Sequence, residues 1–195
     1  MARNCSAIAG KNSAATAWLL CRLLLNDFET ATKAYRLRKL FDQGSLTRRL
    51  TALSDGAFSV LPLIEGWQTL RKDECTALDL PADSRGWVRE VYLRGHQQPW
   101  VFARSVAAHS ALEQGGLNLE ELGTRSLGEL LFCDHAFERG PLQVCHYPRD
   151  WLPEADRADH LWARRSRFVR ARRAQELMFW PPACQAGELH HRHRR

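Results

Sequence analysis

No two of the six cysteines stand at C-x-x-C spacing; Cys5, Cys21, Cys75, Cys133, Cys145 and Cys184 are scattered along the chain. Zinc binding and dithiol redox chemistry therefore have no support in the sequence. The even count leaves disulfides open, but the chain shows no secretory signal. Arg3 and Lys11 precede an apolar stretch, Ala14 to Leu25, which Thr16 and Arg22 interrupt and which no small-residue cleavage site follows. The same stretch is too short to span a membrane. The expectation is free thiols in a reducing cytoplasm.

Also missing are a helix-turn-helix pattern, a zinc finger and any alternation of basic with aromatic residues. The net charge of +6 invites a nucleic-acid partner, but Arg192, Arg194 and Arg195 in the terminal run supply three of those charges. A second basic cluster, Arg164 to Arg173, falls in an expected hairpin. A basic surface with a frayed tail accounts for the balance, so no nucleic-acid partner is expected. His190, His191 and His193 share that tail and imply no structured metal site. Internal repeats and linkers are absent too. One domain over residues 13–182 is expected, with a disordered segment 1–12 before it and a basic, His-rich tail 183–195 after it.

What the chain does have is a strong hairpin signature between Trp87 and Val106. Two runs rich in β-branched and aromatic residues flank the polar turn Arg94-Gly95-His96-Gln97-Gln98-Pro99. Alternate side chains of a strand share a face, so Trp87, Arg89, Val91 and Leu93 form one row, and Trp100, Phe102, Arg104 and Val106 another. Each row is apolar except for one arginine, and a buried guanidinium is costly unless it is paired. Either arginine reads as a structural ion pair, with Glu65, Glu90 or Glu176 as candidate partners, or as a strand-end residue reaching water. Arg89 also reads as the grip on a ligand carboxylate.

Around this hairpin the pattern predicts a helix from Ala14 to Leu25 capped by Ser13, and a second over 29–41. Ser45 then caps a helix from Leu46 to Leu53, whose leucines 46, 50 and 53 share one side. Phe58 to Ile64 reads as a strand that Pro62 confines to an edge or a bulge. A loop with one helical turn is expected over 71–86, a broken helix over 107–123 and a short helix from Ser126 to Phe132. Phe137 to His146 is a strand kinked at Gly140-Pro141, residues 147–160 are loop, and Arg165 to Arg170 pairs with Ala174 to Trp180. Helices first, then hairpin-connected strands, predict an α+β domain with an antiparallel sheet and helices on one side.

Four blocks, in order, resemble the chorismate–pyruvate lyase family. They are Trp87-Val88-Arg89-Glu90-Val91-Tyr92-Leu93, Pro99-Trp100-Val101-Phe102-Ala103-Arg104-Ser105-Val106, Leu122-Gly123-Thr124-Arg125-Ser126-Leu127-Gly128-Glu129-Leu130-Leu131-Phe132 and Leu161-Trp162-Ala163-Arg164-Arg165-Ser166-Arg167-Phe168. The resemblance runs from about Leu40 to Pro182 and includes Ser45-Leu46-Thr47-Arg48-Arg49-Leu50, where leucine stands for the family's methionine, and Glu65-Gly66-Trp67. It implies a single α+β domain, an antiparallel sheet of about six strands with helical flaps over a buried ligand site. It also implies an enzyme, a lyase of ubiquinone biosynthesis that converts chorismate to 4-hydroxybenzoate and pyruvate; a cytoplasmic monomer is expected. Aromatisation drives that reaction, so neither a cofactor nor a metal is expected.

The resemblance further implies roles for single residues. Arg89 grips the ring carboxylate, Leu46 lines the product pocket, and Leu127 meets the ligand near a helix start. Arg104 is a second basic residue near the site, on the pyruvyl carboxylate or on the way out. Glu176 is expected to face the ring hydroxyl as the acidic partner of Arg89. It is the only carboxylate between Asp159 and Glu188, although its strand departs from the family's spacing by one residue before Pro181. A one-residue slip of register would turn it to the other face. Two alternatives keep the fold without the chemistry: an effector-sensing domain that binds a small acid, and a decayed lyase.

Overall fold

The computed structural model describes residues 19–20, 44–115, 119–133, 137–158, 161–170 and 176–180. An antiparallel sheet organises them. Its strands are β1 (Leu19–Leu20), β2 (Phe58–Thr69), β3 (Arg85–Gly95), β4 (Gln98–Ala108), β5 (Phe137–Arg139), β6 (Gln143–His146), β7 (Trp162–Arg170) and β8 (Glu176–Trp180). They lie in the order β1-β6-β7-β8-β4-β3-β2, and β5 pairs with β7 beside β6. Four α-helices are described: α1 (Leu46–Leu53), α2 (Lys72–Ala77), α3 (His109–Gly115) and α4 (Leu127–Cys133). The strands beyond the expected six are short: β1 has two residues, and β5 and β6 divide the expected strand 137–146 on either side of Gly140-Pro141.

The central hairpin forms because its two apolar runs meet across a two-residue turn. His96 and Gln97 take φ of 50° and 65°, the left-handed pair that matches the twist of the flanking strands. The register pairs Arg89 with Ser105, Val91 with Ala103 and Leu93 with Val101. The row of Arg89 therefore faces with Val101, Ala103, Ser105 and Ala107, while Arg104 faces the other way. A register irregularity between Leu93 and Arg94 accommodates the turn. Pro62 behaves as its missing N–H requires: β2 lies at one end of the strand order, and its pairing with β3 slips between Pro62 and Ile64.

Both faces of the sheet are covered. On the face of Arg89, Leu50 of α1 packs with Val60, Val91, Leu93, Val101 and Ala103. Farther along the same face, Leu127 and Leu131 of α4 pack with Leu119, Leu122, Ala107 and Phe168. On the opposite face, Cys75 and Leu78 at α2 join Val88, Phe102, Val106, Tyr147 and Leu152. The longer helical cover is one-sided, as the pattern implied; α2 and the segment around 147–152 close the other side. Cys75 and Cys145 are buried free thiols.

Ser45 caps α1 as its sequence predicts, accepting from the Arg48 N–H at 3.3 Å. The helix expected from Ala14 to Leu25 is corrected within the described residues. Leu19 and Leu20 are extended and pair with Val144 and Gln143. Helix propensity lost there to an open strand edge on β6, whose backbone groups need partners. The remainder of that helix, the helix over 29–41 and both termini lie outside the described residues. No described helix is long and apolar enough to cross a membrane.

Candidate active site

A cavity lies between the Arg89 face of the sheet and the roof made by α1 and α4. Val60, Val91, Leu93 and Ala103 contribute apolar floor, and Leu46 and Leu127, the first residues of the two helices, contribute apolar roof. The polar lining is Thr47, Arg89, Ser105, Ser126, Arg139 and Arg164. An apolar chamber with a few convergent donors suits a small planar acid.

Arg89 is 3% exposed. Its Nε donates to Glu65 Oε1 at 2.6 Å, and Nη2 donates to the carbonyls of Gly123 and, at 3.1 Å, Arg125. Glu65 is Arg89's register partner on β2, so the ion pair follows from strand pairing alone. Gly123 turns with φ of 51°, a left-handed conformation glycine adopts at little cost, and the 122–126 turn presents both carbonyls. Burial lowers the guanidinium's pKa, while the hydrogen bond and charge of Glu65 oppose that fall. Nη1 has no partner among the described residues. Arg89 is thus held through Nε and Nη2, and Nη1 is the nitrogen left to meet a ligand.

The two roof helices touch. Thr47 Oγ1 and Ser126 Oγ are 2.7 Å apart, and a methyl group added at Gly128 would come within 2.7 Å of Thr47 Oγ1. Position 128 therefore needs glycine for the close approach of α1 to α4.

Leu46, Arg89 and Leu127 line the same cavity. Arg104 does not join them. It is buried on the opposite face, where Nε and Nη2 bind both oxygens of Glu74 at 2.7 and 3.1 Å and Nη1 binds Glu90 at 2.7 Å. Glu74, fully buried, also accepts from the Arg71 N–H at 2.8 Å and so fastens the first turn of α2. Burial disfavours the charge of Arg104, but the two carboxylates outweigh it and raise its pKa. The structural ion pair, one of the readings open at sequence level, is what the geometry forms at Arg104.

Glu176 is described only through its backbone. β8 sets residue 176 opposite Val169, 177 opposite Phe168 and Ala107, and 179 opposite Ser166 and Ser105. Positions 177 and 179 fall in the row of Arg89; position 176 falls in the alternate row, level with the face of Arg104.

Five polar lining residues were not singled out from sequence. Thr47, Ser126 and Arg164 lie inside quoted motif blocks, and extending the last hairpin's alternation back by one residue places Arg164 in a row with Ser166 and Phe168. Ser105 shares its row with Ala103. Arg139, in a three-residue strand, carried no signal.

A family model described as chorismate lyase matches residues 26–179. A protein of Pseudomonas fluorescens strain Pf0-1 named probable chorismate pyruvate-lyase 2 is 72% identical over 131 residues, covering 67% of this chain and 72% of that one. A probable chorismate pyruvate-lyase of Pseudomonas putida strain KT2440 is 64% identical over 158 residues, covering 81% of this chain and 83% of its own. Among solved structures, the effector domain of PhnF from Mycobacterium smegmatis shares the fold alone. Its TM-score is 0.50 at 11% identity, over 74% of this chain and 90% of that one. Matched over most of its described core by a family model, and at high identity by relatives it largely covers, the chain belongs to the chorismate lyase family.

Proposed function

We propose that the cavity beneath α1 and α4 binds chorismate and that the protein expels pyruvate from it, leaving 4-hydroxybenzoate. In this reading it is a cytoplasmic monomer that supplies ubiquinone biosynthesis. The observation that carries it is Arg89, a buried guanidinium anchored on one edge at the floor of an apolar chamber. The ring carboxylate docks on Nη1, with Glu65 and the two carbonyls fixing the plane of the guanidinium. Val91, Leu93, Leu46 and Leu127 pack on the ring. Excluding water strengthens the carboxylate–guanidinium pair and shields the breaking ether bond. The atoms of chorismate equal those of the two products, so the reaction consumes no water, and ring aromatisation drives it.

The same reading makes α1 and α4 lids. Product leaves only when the Thr47–Ser126 contact parts, which supports release as the slow step.

The test is direct. Chorismate is mixed with the purified chain, 4-hydroxybenzoate is followed by its ultraviolet absorbance, and pyruvate is followed through coupled reduction by lactate dehydrogenase. Equal amounts of both products are expected. Binding of chorismate without either product would leave a small-acid receptor of the same fold.

A further inference from the structure

We infer that Arg139 and Arg164 form a second anion subsite in this cavity, which takes the enolpyruvyl carboxylate of chorismate. The inference rests on the chorismate reading above and deepens it. Chorismate is a dianion whose carboxylates sit on different parts of the molecule, one on the ring and one on the enolpyruvyl arm. Arg89 cannot serve both. Its Nε and Nη2 are already engaged by Glu65, Gly123 and Arg125, so it has Nη1 alone to offer, to one carboxylate.

The other two guanidiniums of the lining come from the far side of the same face. The register runs from Arg89 on β3 to Ser105 on β4, to residue 179 on β8 and to Ser166 on β7. Arg164 precedes Ser166 by two residues and so shares its face; it is 3% exposed. Arg139 on β5 pairs with Phe168, lies 5.7 Å over that ring, and donates Nε to Ser166 Oγ at 2.8 Å. Ser166 thus ties Arg139 into the strand that carries Arg164. Three strand spacings, roughly 14 Å at the backbone, separate β7 from β3. Arg89 and Arg164 both line the cavity from those strands, so a small molecule with an anion at each end can meet a different guanidinium at each. Val91, Leu93 and Ala103 line the floor of the same chamber, where a ring belongs.

The division of labour separates substrate from product. Chorismate uses both anchors. 4-Hydroxybenzoate keeps only the carboxylate on Arg89, and pyruvate departs with the other. Loss of the second anchor should therefore weaken substrate and spare product.

The experiment uses the full chain with Arg139→Gln and, separately, Arg164→Lys. KM for chorismate is measured beside the Kd for 4-hydroxybenzoate. Arg139 is only partly buried, so its variant keeps the inference testable if the Arg164 variant folds poorly; product binding reports the folded state of each. At least a tenfold rise in KM with product Kd within twofold of wild type is expected. Unchanged KM in both variants overturns the subsite, as does an equal loss for chorismate and 4-hydroxybenzoate, which would mark the arginines as scaffolding. The wild-type chain in parallel separates the two ideas. If it neither converts nor binds chorismate, the chorismate reading falls and the subsite with it. If it turns over normally while both variants match it, the subsite alone falls.

Discussion

Arg89 and Glu65 are register partners on β3 and β2, and their side chains join through an Nε–H to Oε1 bond of 2.6 Å at the floor of the cavity. Glu65 opposes the lowering of the guanidinium's pKa by burial and stops it rotating, so Nη1 points one way. Arg89→Ala is expected to abolish turnover and weaken 4-hydroxybenzoate binding by about 2–5 kcal/mol, the range for losing one buried charge-assisted pair. Arg89→Lys should also be poor, because an ammonium cannot hold Glu65, two carbonyls and a ligand in one plane. Steady-state kinetics and calorimetric binding check both. Normal turnover by Arg89→Ala would remove the carboxylate site.

Arg104 is the contrasting arginine. Its three nitrogens are all committed to Glu74 and Glu90, on the face away from the cavity. Arg104→Met leaves a fully buried Glu74 without its counter-charge, and the expected cost is about 3–5 kcal/mol of folding stability. Arg104→Met combined with Glu74→Gln should recover part of that loss. Urea unfolding measures it. Because the site is on the other face, the folded fraction should keep the wild-type KM for chorismate, and a KM raised tenfold at full folding would return Arg104 to the site.

The contrast shows what strand alternation can and cannot say. Alternation within each run of the hairpin is local, and it correctly set Arg89 among Val91 and Leu93, and Arg104 among Phe102 and Val106. Which row of one strand faces which row of the next depends on the turn, and the left-handed pair His96-Gln97 with its nearby irregularity is a tertiary outcome. The α1 cap and the edge position of β2 were legible because Ser45 and Pro62 act on their own backbone. Leu19–Leu20 was not, because an edge strand far along the chain recruits it. Arg139 escaped for the same reason: it reaches the cavity through β5, whose pairing with β7 no local pattern records, while Arg164 stands one residue before the strand that the last hairpin predicted.

α1 and α4 meet at Thr47, Ser126 and Gly128, and this contact closes the roof. A methyl group at Gly128 collides with Thr47 Oγ1, so Gly128→Ala should hold the helices apart. Thr47→Val removes the hydroxyl pair with little change of volume. Both variants are expected to release 4-hydroxybenzoate several-fold faster than wild type, measured by stopped-flow fluorescence. If release limits turnover, kcat rises until opening begins to admit water. Unaltered release in both variants would mean that product leaves by another route.

Glu176 poses the sharpest question about register. As the only carboxylate between Asp159 and Glu188, it is what the sequence offers as the acid on the ring hydroxyl. For that role residue 176 must share a row with Arg89, and β8 instead pairs residues 177 and 179 with Ala107 and Ser105, members of that row. A strand has a period of two, so a shift of one residue exchanges the rows entirely. The register as it stands gives a definite expectation. Glu176→Gln should leave kcat and KM for chorismate within about twofold of wild type, since a polar substitution away from a site usually changes little. Leu177→Asp, at a position in the row of Arg89 and in register with Phe168 and Ala107, should instead lower activity. A tenfold or greater loss of kcat in Glu176→Gln, with folding intact, would reverse the assignment: β8 would sit one residue along from this pairing, and Glu176 would be the acid opposite Arg89.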